Sequence, residues 1–277
     1  MNQLVAVLGR GIVPADHGVA TADDAGLVRG DGCFDATLLR DGHLFDLDDH
    51  LARLARSCAL LELPAPDPDA WRRLIADAVD AWDGSEAALK LVVTRGPEHG
   101  GEPTGFLSLT PVTDVVRAQR DGLSVVTLGR GYASDAFLGM PWLLGGAKTL
   151  SYAINTAAKR QATRLGADDV VFTSSDGFVL EAPTAAIVWR QGETLYSTPH
   201  GPTGILASVS QQKVFDRAHE AGWTGDYALG TPTDIEESDG AWLLSSVRGT
   251  APILVFDGVR LNHDPEATDI VRRLNGF

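Results

Sequence analysis

Strands in this chain are expected in runs, with helices between the runs rather than after each strand, and this ordering limits the fold more than any other feature. The first run holds short extended segments at 4–8 and 33–39, then 43–46 beyond an Asp41-Gly42 turn. Near Asp48, a plausible N-cap, the apolar period changes, and Leu51, Leu54, Cys58 and Leu61 fall at helical spacing. After Pro64, Pro66 and Pro68 a second stripe follows in Trp71, Leu74, Ile75, Ala78, Val79 and Trp82. Strands return at 88–94 and 106–112. Further on, a strand at 123–128 and a Gly-rich loop lead to a helix over 149–165. Short strands at 170–173, 178–181, 185–190 and 194–197 precede a helix over 207–221. Strands at 241–245 and 253–256 and a helix over 265–274 complete the pattern. A doubly wound parallel sheet needs a helix after each strand; this order predicts an α+β fold.

The chain has 277 residues, room for one large domain or two modest ones. The stretch 113–122 is polar, charged and poor in large apolar groups, so it reads as a linker between a small N-terminal α+β domain (1–112) and a larger C-terminal one (123–277). Acidic residues number 37 against 23 basic ones, a net charge of −14 that disfavours phosphate backbones and anionic membrane surfaces. No apolar run approaches the ~18 residues of a membrane span, and the first residues lack the pattern of a secretory leader. Two cysteines, Cys33 and Cys58, lack Cys-x-x-Cys spacing, which points away from a disulfide framework and toward the cytoplasm.

Several motifs fail. Gly145-Gly146-Ala147-Lys148-Thr149 has Ala147 and Trp142 where a phosphate loop needs glycines. The histidines form no His-x-His or His-Glu-x-x-His pair, so no metal site is expected, and no Gly-x-Ser-x-Gly elbow occurs.

Five scattered features make sense together around a phosphorylated pyridine aldehyde. Lys148 stands between a Gly-Gly loop and small helical residues, beside Trp142, Leu143 and Leu144; a desolvated amine there suits attack on an aldehyde. Taken alone it reads as a surface lysine. Glu181 ends an apolar strand, where a carboxylate would keep a pyridine nitrogen protonated; a solvated strand end is the plain alternative. Gly201 to Leu206 leads into a helix whose N–H groups suit a phosphate, or simply a turn and cap. His50 and Arg53 share a helix side, with Arg53 a donor for phosphate or for a surface ion pair. Ser245 to Thr250, with Ser246 and Arg248, supplies hydroxyls and a cation after a strand, or a solvated turn.

The order of these motifs resembles the fold-type IV pyridoxal-phosphate enzymes, the class-IV aminotransferase family. The segments carrying the likeness are Arg29 to Phe34, His50 to Leu54, Lys148 with Tyr152 and Asn155, Glu181 to Thr184, Gly204 to Leu206, and Ser245-Ser246. The resemblance implies a two-domain homodimer with the cofactor, pyridoxal 5′-phosphate, in the cleft between domains and the lysine in the C-terminal one. Lys148 would be the covalent attachment point and Glu181 the partner of the ring nitrogen. Arg53, the backbone of Gly204, Ile205 and Leu206, and Ser246 would hold the phosphate, with Tyr152 near the ring hydroxyl. Phe34 would line the substrate pocket.

Arg29 to Phe34, Cys33 included, reads most like the aminodeoxychorismate lyase subgroup. Many transaminases of the family follow the aromatic residue with Glu-x-x-Arg; here Asp35-Ala36-Thr37-Leu38 follows Phe34, so Leu38 stands at the Arg position. Arg248 is the expected replacement for that charge at a substrate carboxylate, and Thr37, with Asp35 on its strand face, is expected to assist proton transfer. The resulting expectation is a lyase forming 4-aminobenzoate and pyruvate from 4-amino-4-deoxychorismate, on the way to folate. A D-amino-acid aminotransferase is the alternative, and a non-catalytic cofactor-binding protein the third reading.

Overall fold

The computed structural model describes residues 3–277. Backbone contacts divide them into two units: one runs to Thr113 and takes in Ala147–Tyr152, and the other comprises Asp114–Gly146 and Ala153–Phe277. The lysine segment, expected with the C-terminal domain, thus packs with the N-terminal residues.

The first unit contains β1 (Leu4–Val7), β2 (Gly11–Val13), α1 (Ala25–Val28), β3 (Gly32–Arg40), β4 (His43–Leu44), α2 (Leu47–Leu60), α3 (Pro68–Asp80), β5 (Glu86–Thr94) and β6 (Thr104–Pro111). Its strands form an antiparallel sheet in the order β2-β1-β6-β5-β3-β4. The β3–β4 hairpin turns on Asp41 and Gly42, both left-handed at φ 50° and 77°, as a turn matched to strand twist requires. Helix α2 starts one residue before Asp48: Asp46 holds the N-cap position in a left-handed conformation without a side-chain cap bond, and Asp48 and Asp49 lie in the first turn, where negative charge suits the helix dipole. Leu51, Leu54 and Cys58 are buried as their spacing predicts. Asp67 caps α3, with Pro68 at its first position.

The lysine segment departs from expectation. Helix was expected from residue 149, yet it begins at Ala153. Residues 148–150 instead run along β3: Leu150 N–H donates to Gly32 O (2.8 Å), Phe34 N–H donates to Lys148 O (2.9 Å), and Cys33 faces Thr149 in an antiparallel bridge. Before β4 joins it, this edge of β3 would otherwise leave buried main-chain groups unpaired, and satisfying them outweighs local helix propensity.

The second unit contains α4 (Asp114–Ala118), β7 (Leu123–Gly129), α5 (Ala153–Arg164), β8 (Asp169–Thr173), β9 (Ala186–Gln191), β10 (Thr194–Ser197), α6 (Val209–Arg217), β11 (Thr224–Tyr227), α7 (Pro232–Glu236), β12 (Gly240–Ser245), β13 (Gly249–Phe256), β14 (Val259–Arg260) and α8 (Pro265–Asn275). Helix α4 occupies part of the stretch read as a linker. The sheet runs β11-β10-β9-β12-β13-β7-β8, with β14 on β13, and is mixed: β7 is parallel to both β8 and β13, and β10 to β11. Alternation along β9 and β12 gives two apolar faces. Val188, Trp242 and Leu244 pack with Val214 of α6 and Val271 and Leu274 of α8, while Ile187, Trp189 and Leu243 pack with Ile235 and Phe256. Residues 178–181 form no ladder strand; they are tied to β8 by Leu180 N–H to Phe172 O and Phe172 N–H to Glu181 O.

Candidate active site

In the first unit, strand alternation sorts the candidate residues onto two faces of β3. Cys33, Asp35 and Thr37 face α2; Phe34, Ala36 and Leu38 face the other way. Because Thr149 is the residue opposite Cys33, Lys148 stands opposite Phe34 and extends over its face of the sheet. Its Nζ lies 4.7 Å from the Phe34 ring centroid and 5.8 Å from that of Tyr152, and donates to Tyr152 Oη at 3.4 Å. The two rings meet edge to face, 5.1 Å apart. Lys148, Phe34 and Tyr152 are therefore brought together, with the amine half-buried among aromatic walls.

The α2 side of the strand holds a buried ionic cluster. His50, Arg53 and Ser57 recur at helical spacing and point at β3. Arg53 donates from Nε and Nη2 to the two oxygens of Asp35 (2.8 Å each), and Asp35 Oδ1 also accepts from His50 Nδ1 at 2.7 Å. Burial alone would push the Asp35 carboxyl up; the hydrogen bonds and charges of Arg53 and His50 outweigh it and hold the group well below the usual carboxylate range. Ser57, one turn beyond Arg53, accepts the Lys148 backbone N–H at 3.1 Å, so α2 fixes the lysine segment as well as Arg53. Cys33 and Cys58 sit between, both buried, with Sγ atoms 3.4 Å apart; their contact and burial push the Cys33 thiol up and keep it neutral. Sequence reasoning singled out Arg53 but missed Ser57, and took Asp35 for a proton carrier rather than the partner of Arg53.

In the second unit, Leu206 N–H donates to Glu181 Oε2 at 3.2 Å, so the helix-entry loop meets the expected ring-nitrogen partner. Gly204 has φ 70°, and a Cβ there would stand 2.4 Å from the Phe137 ring; only glycine fits. Gly146 N–H donates to Gly204 O, bringing the Gly-Gly loop against this turn. Ile205 is buried with Ala158, Val170 and Phe172. Ser208 caps α6, and Ser246 Oγ lies 3.3 Å from Ser210 Oγ. Asn155 donates to Pro183 O at 2.8 Å and so pins the residues after Glu181.

Two expected substrate residues are placed otherwise. Thr37 is buried on the α2 face and donates to Phe45 O, away from Phe34. Arg248, expected at a substrate carboxylate, is buried against Asp169 (Nη1 to Oδ2, 2.8 Å) and Gln119. The completely buried Asp169 demands a countercharge, and nothing near it in sequence announced this. Arg248→Met therefore acts on stability: chemical denaturation should show a loss of about 3–5 kcal/mol, from an uncompensated buried carboxylate. Substrate KM should stay near that of the wild type.

By chemical type, the first unit offers a half-buried amine suited to an aldehyde, and the second, taken by itself, a carboxylate suited to a pyridine nitrogen and a tight glycine turn and a serine suited to a phosphate. The profile of the family described as Amino-transferase class IV matches residues 32–256, and the chain belongs to that family. A bifunctional aminodeoxychorismate lyase / D-amino acid transaminase of Mycobacterium tuberculosis is 42% identical to it over 256 residues, covering 89% of each chain. Among solved structures, the PLP-bound form of a hypothetical aminotransferase from Mycobacterium tuberculosis gives a TM-score of 0.94 at 39% identity, covering 99% of this chain and 98% of that one. A fold IV transaminase from Curtobacterium pusillum gives 0.93 at 37% identity, covering 100% and 98%. The fold is thus the α+β fold type IV, and the protein is a pyridoxal-phosphate enzyme of class IV. Among the described residues no helix is long and apolar enough to cross a membrane.

Proposed function

We propose that this chain is an aminodeoxychorismate lyase, releasing 4-aminobenzoate and pyruvate from 4-amino-4-deoxychorismate and so supplying a folate precursor. The observation carrying the reading is the Lys148 amine held over Phe34 and Tyr152 by main-chain pairing to β3. In this reading Lys148 is the covalent attachment point of pyridoxal phosphate. Arg53 in the first unit, and the loop of Gly204, Ile205 and Leu206 with Ser246 in the second, hold its phosphate. Glu181 keeps a proton on the ring nitrogen, its carboxylate having lone pairs to accept that N–H beside the Leu206 N–H it already accepts. When bound, the cofactor supplies an electron sink for charge developing on the substrate carbon that bears nitrogen. Lys148 takes the proton from that carbon, Phe34 and Tyr152 exclude water from its amine, and Tyr152 Oη would serve as a hydrogen-bond partner for the ring hydroxyl. The enzyme is proposed to work as a cytoplasmic homodimer.

A second reading, D-amino-acid transaminase, is favoured by the bifunctional relative. The test supplies aminodeoxychorismate and D-alanine separately to cofactor-loaded protein. Pyruvate released from the first, with the cofactor spectrum unchanged by D-alanine, supports the strict lyase. Conversion of the cofactor to its amine form by D-alanine establishes the transaminase, alone or beside the lyase. A colourless protein that takes up no pyridoxal phosphate sinks both.

A further inference from the structure

Resting on that reading, we propose that Phe137 is a positioning residue for the cofactor phosphate, its ring being the wedge that sets the turn of Gly204, Ile205 and Leu206. Within the second unit this ring lies against two glycines. A Cβ built on Gly204 would stand 2.4 Å from it and one on Gly145 2.5 Å, and the Gly145 Cβ would also come within 3.0 Å of Gly204 Cα. The ring and the two glycine backbones therefore meet with no room for a further side chain. Main-chain bonds close the contact: Phe137 N–H donates to Pro202 O and Gly146 N–H to Gly204 O, each at 3.0 Å. Of the N–H groups in the turn, that of Ile205 has the longest internal bond, 3.5 Å to Thr203 Oγ1, against 2.9 Å for Gly204 to Gly201 O and 3.2 Å for Leu206 to Glu181. It is the donor with most to gain from a phosphate oxygen.

A turn built on glycine needs such a restraint. Gly204 stands at φ 70°, and without a Cβ it has other conformations open to it, so its shape must be imposed from outside. The wedge is itself held. The loop over 130–137 is pinned to the residues after β8: Arg130 N–H donates to Thr173 O at 2.7 Å, Ser175 N–H to Tyr132 O at 2.8 Å, and Ser134 N–H and Oγ to the two oxygens of Asp176 at 2.9 and 2.7 Å. The Tyr132 ring meets Phe137 edge to face at 5.0 Å, and the Arg130 guanidinium lies over Phe172 at 4.8 Å and over Tyr132 at 5.9 Å. Tyr132 and Phe172 pack in the same apolar cluster as Ile205, so the backing of the ring and the turn it shapes share one core. Removing the ring leaves a gap beside the most permissive residue of the turn, and donors arranged in advance for a phosphate lose that arrangement.

The test compares pyridoxal 5′-phosphate with pyridoxal, which lacks the phosphate, by absorbance titration of the wild type, Phe137→Ala, Phe137→Tyr and Gly145→Ala. Phe137→Ala should weaken the phosphorylated aldehyde about 10- to 100-fold and pyridoxal less than about threefold, the loss expected for charge-assisted bonds to phosphate alone. A general loosening of the unit would weaken both alike. Phe137→Tyr keeps the ring and should hold both constants within about threefold of the wild type. Gly145→Ala drives a methyl group into the ring and Gly204, and should repeat the selective loss; it carries the test if circular dichroism shows Phe137→Ala unfolded. A wild type that binds neither aldehyde defeats the functional reading and this one with it. A wild type that binds both without preference overturns the proposal while leaving the aldehyde chemistry of Lys148 standing. An unchanged ratio of the two constants in the folded variants, or a selective loss in Phe137→Tyr as large as in Phe137→Ala, also overturns it.

Discussion

Lys148→Ala is expected to remain folded, to yield no borohydride-labelled peptide after incubation with pyridoxal phosphate, and to lose pyruvate release by about 10⁴-fold. The fold survives because the segment is held through its backbone: Lys148 O accepts from Phe34 N–H, and its own N–H donates to Ser57, bonds an alanine retains. What disappears is the amine over Phe34 and Tyr152, which in the proposed reaction both attaches the cofactor and moves the proton. Far-ultraviolet circular dichroism and peptide mapping separate the two outcomes. Full labelling elsewhere with retained turnover would remove Lys148 from the chemistry.

Asp35→Asn is expected to lose about 3–5 kcal/mol of stability by urea unfolding at pH 7, with a fall in Tm of roughly 10 °C. Arg53 is only 6% exposed, and its Nε and Nη2 are both committed to Asp35; the amide leaves a buried guanidinium without that countercharge. The pH dependence follows from the same contacts. Since folding lowers the Asp35 pKa below its unfolded value, near 3.9, its contribution is fully present above that pH and lost as pH falls further. The wild type should therefore lose more stability than Asp35→Asn below about pH 4, narrowing the gap between them. A constant gap from pH 7 to pH 3 would show that the carboxylate charge is not what holds Arg53. Cofactor affinity should weaken alongside stability, because Asp35 fixes the guanidinium proposed for the phosphate.

Much of the framework is written in local pattern. The change of period near Asp48, the Asp41-Gly42 hairpin and the alternating strands were enough to predict an α+β chain, and the ordered motifs from Arg29 to Ser246 carried the resemblance to the fold-type IV family, which implies the roles expected of Lys148 and Glu181. These features depend on neighbours a few residues away, which is the range over which helix, turn and strand preferences act. Short edge elements such as β2, β11 and β14 carry too few residues for a period and escaped that reading.

The rest was decided by pairings between residues far apart in the chain. Residues 148–150 give up helix for the edge of β3, more than 110 positions earlier, because buried main-chain groups there need partners. Arg248 is drawn to Asp169, 79 positions away, by the cost of a buried unpaired carboxylate. Phe137 reaches Gly204 only because its loop is tied to the residues after β8. The sequence by itself determined the longer helices and strands and the α+β class of the fold; the tertiary structure alone decided which charges neutralise one another and which remain exposed, because electrostatic partners are chosen by distance in space and desolvation, not by separation along the chain.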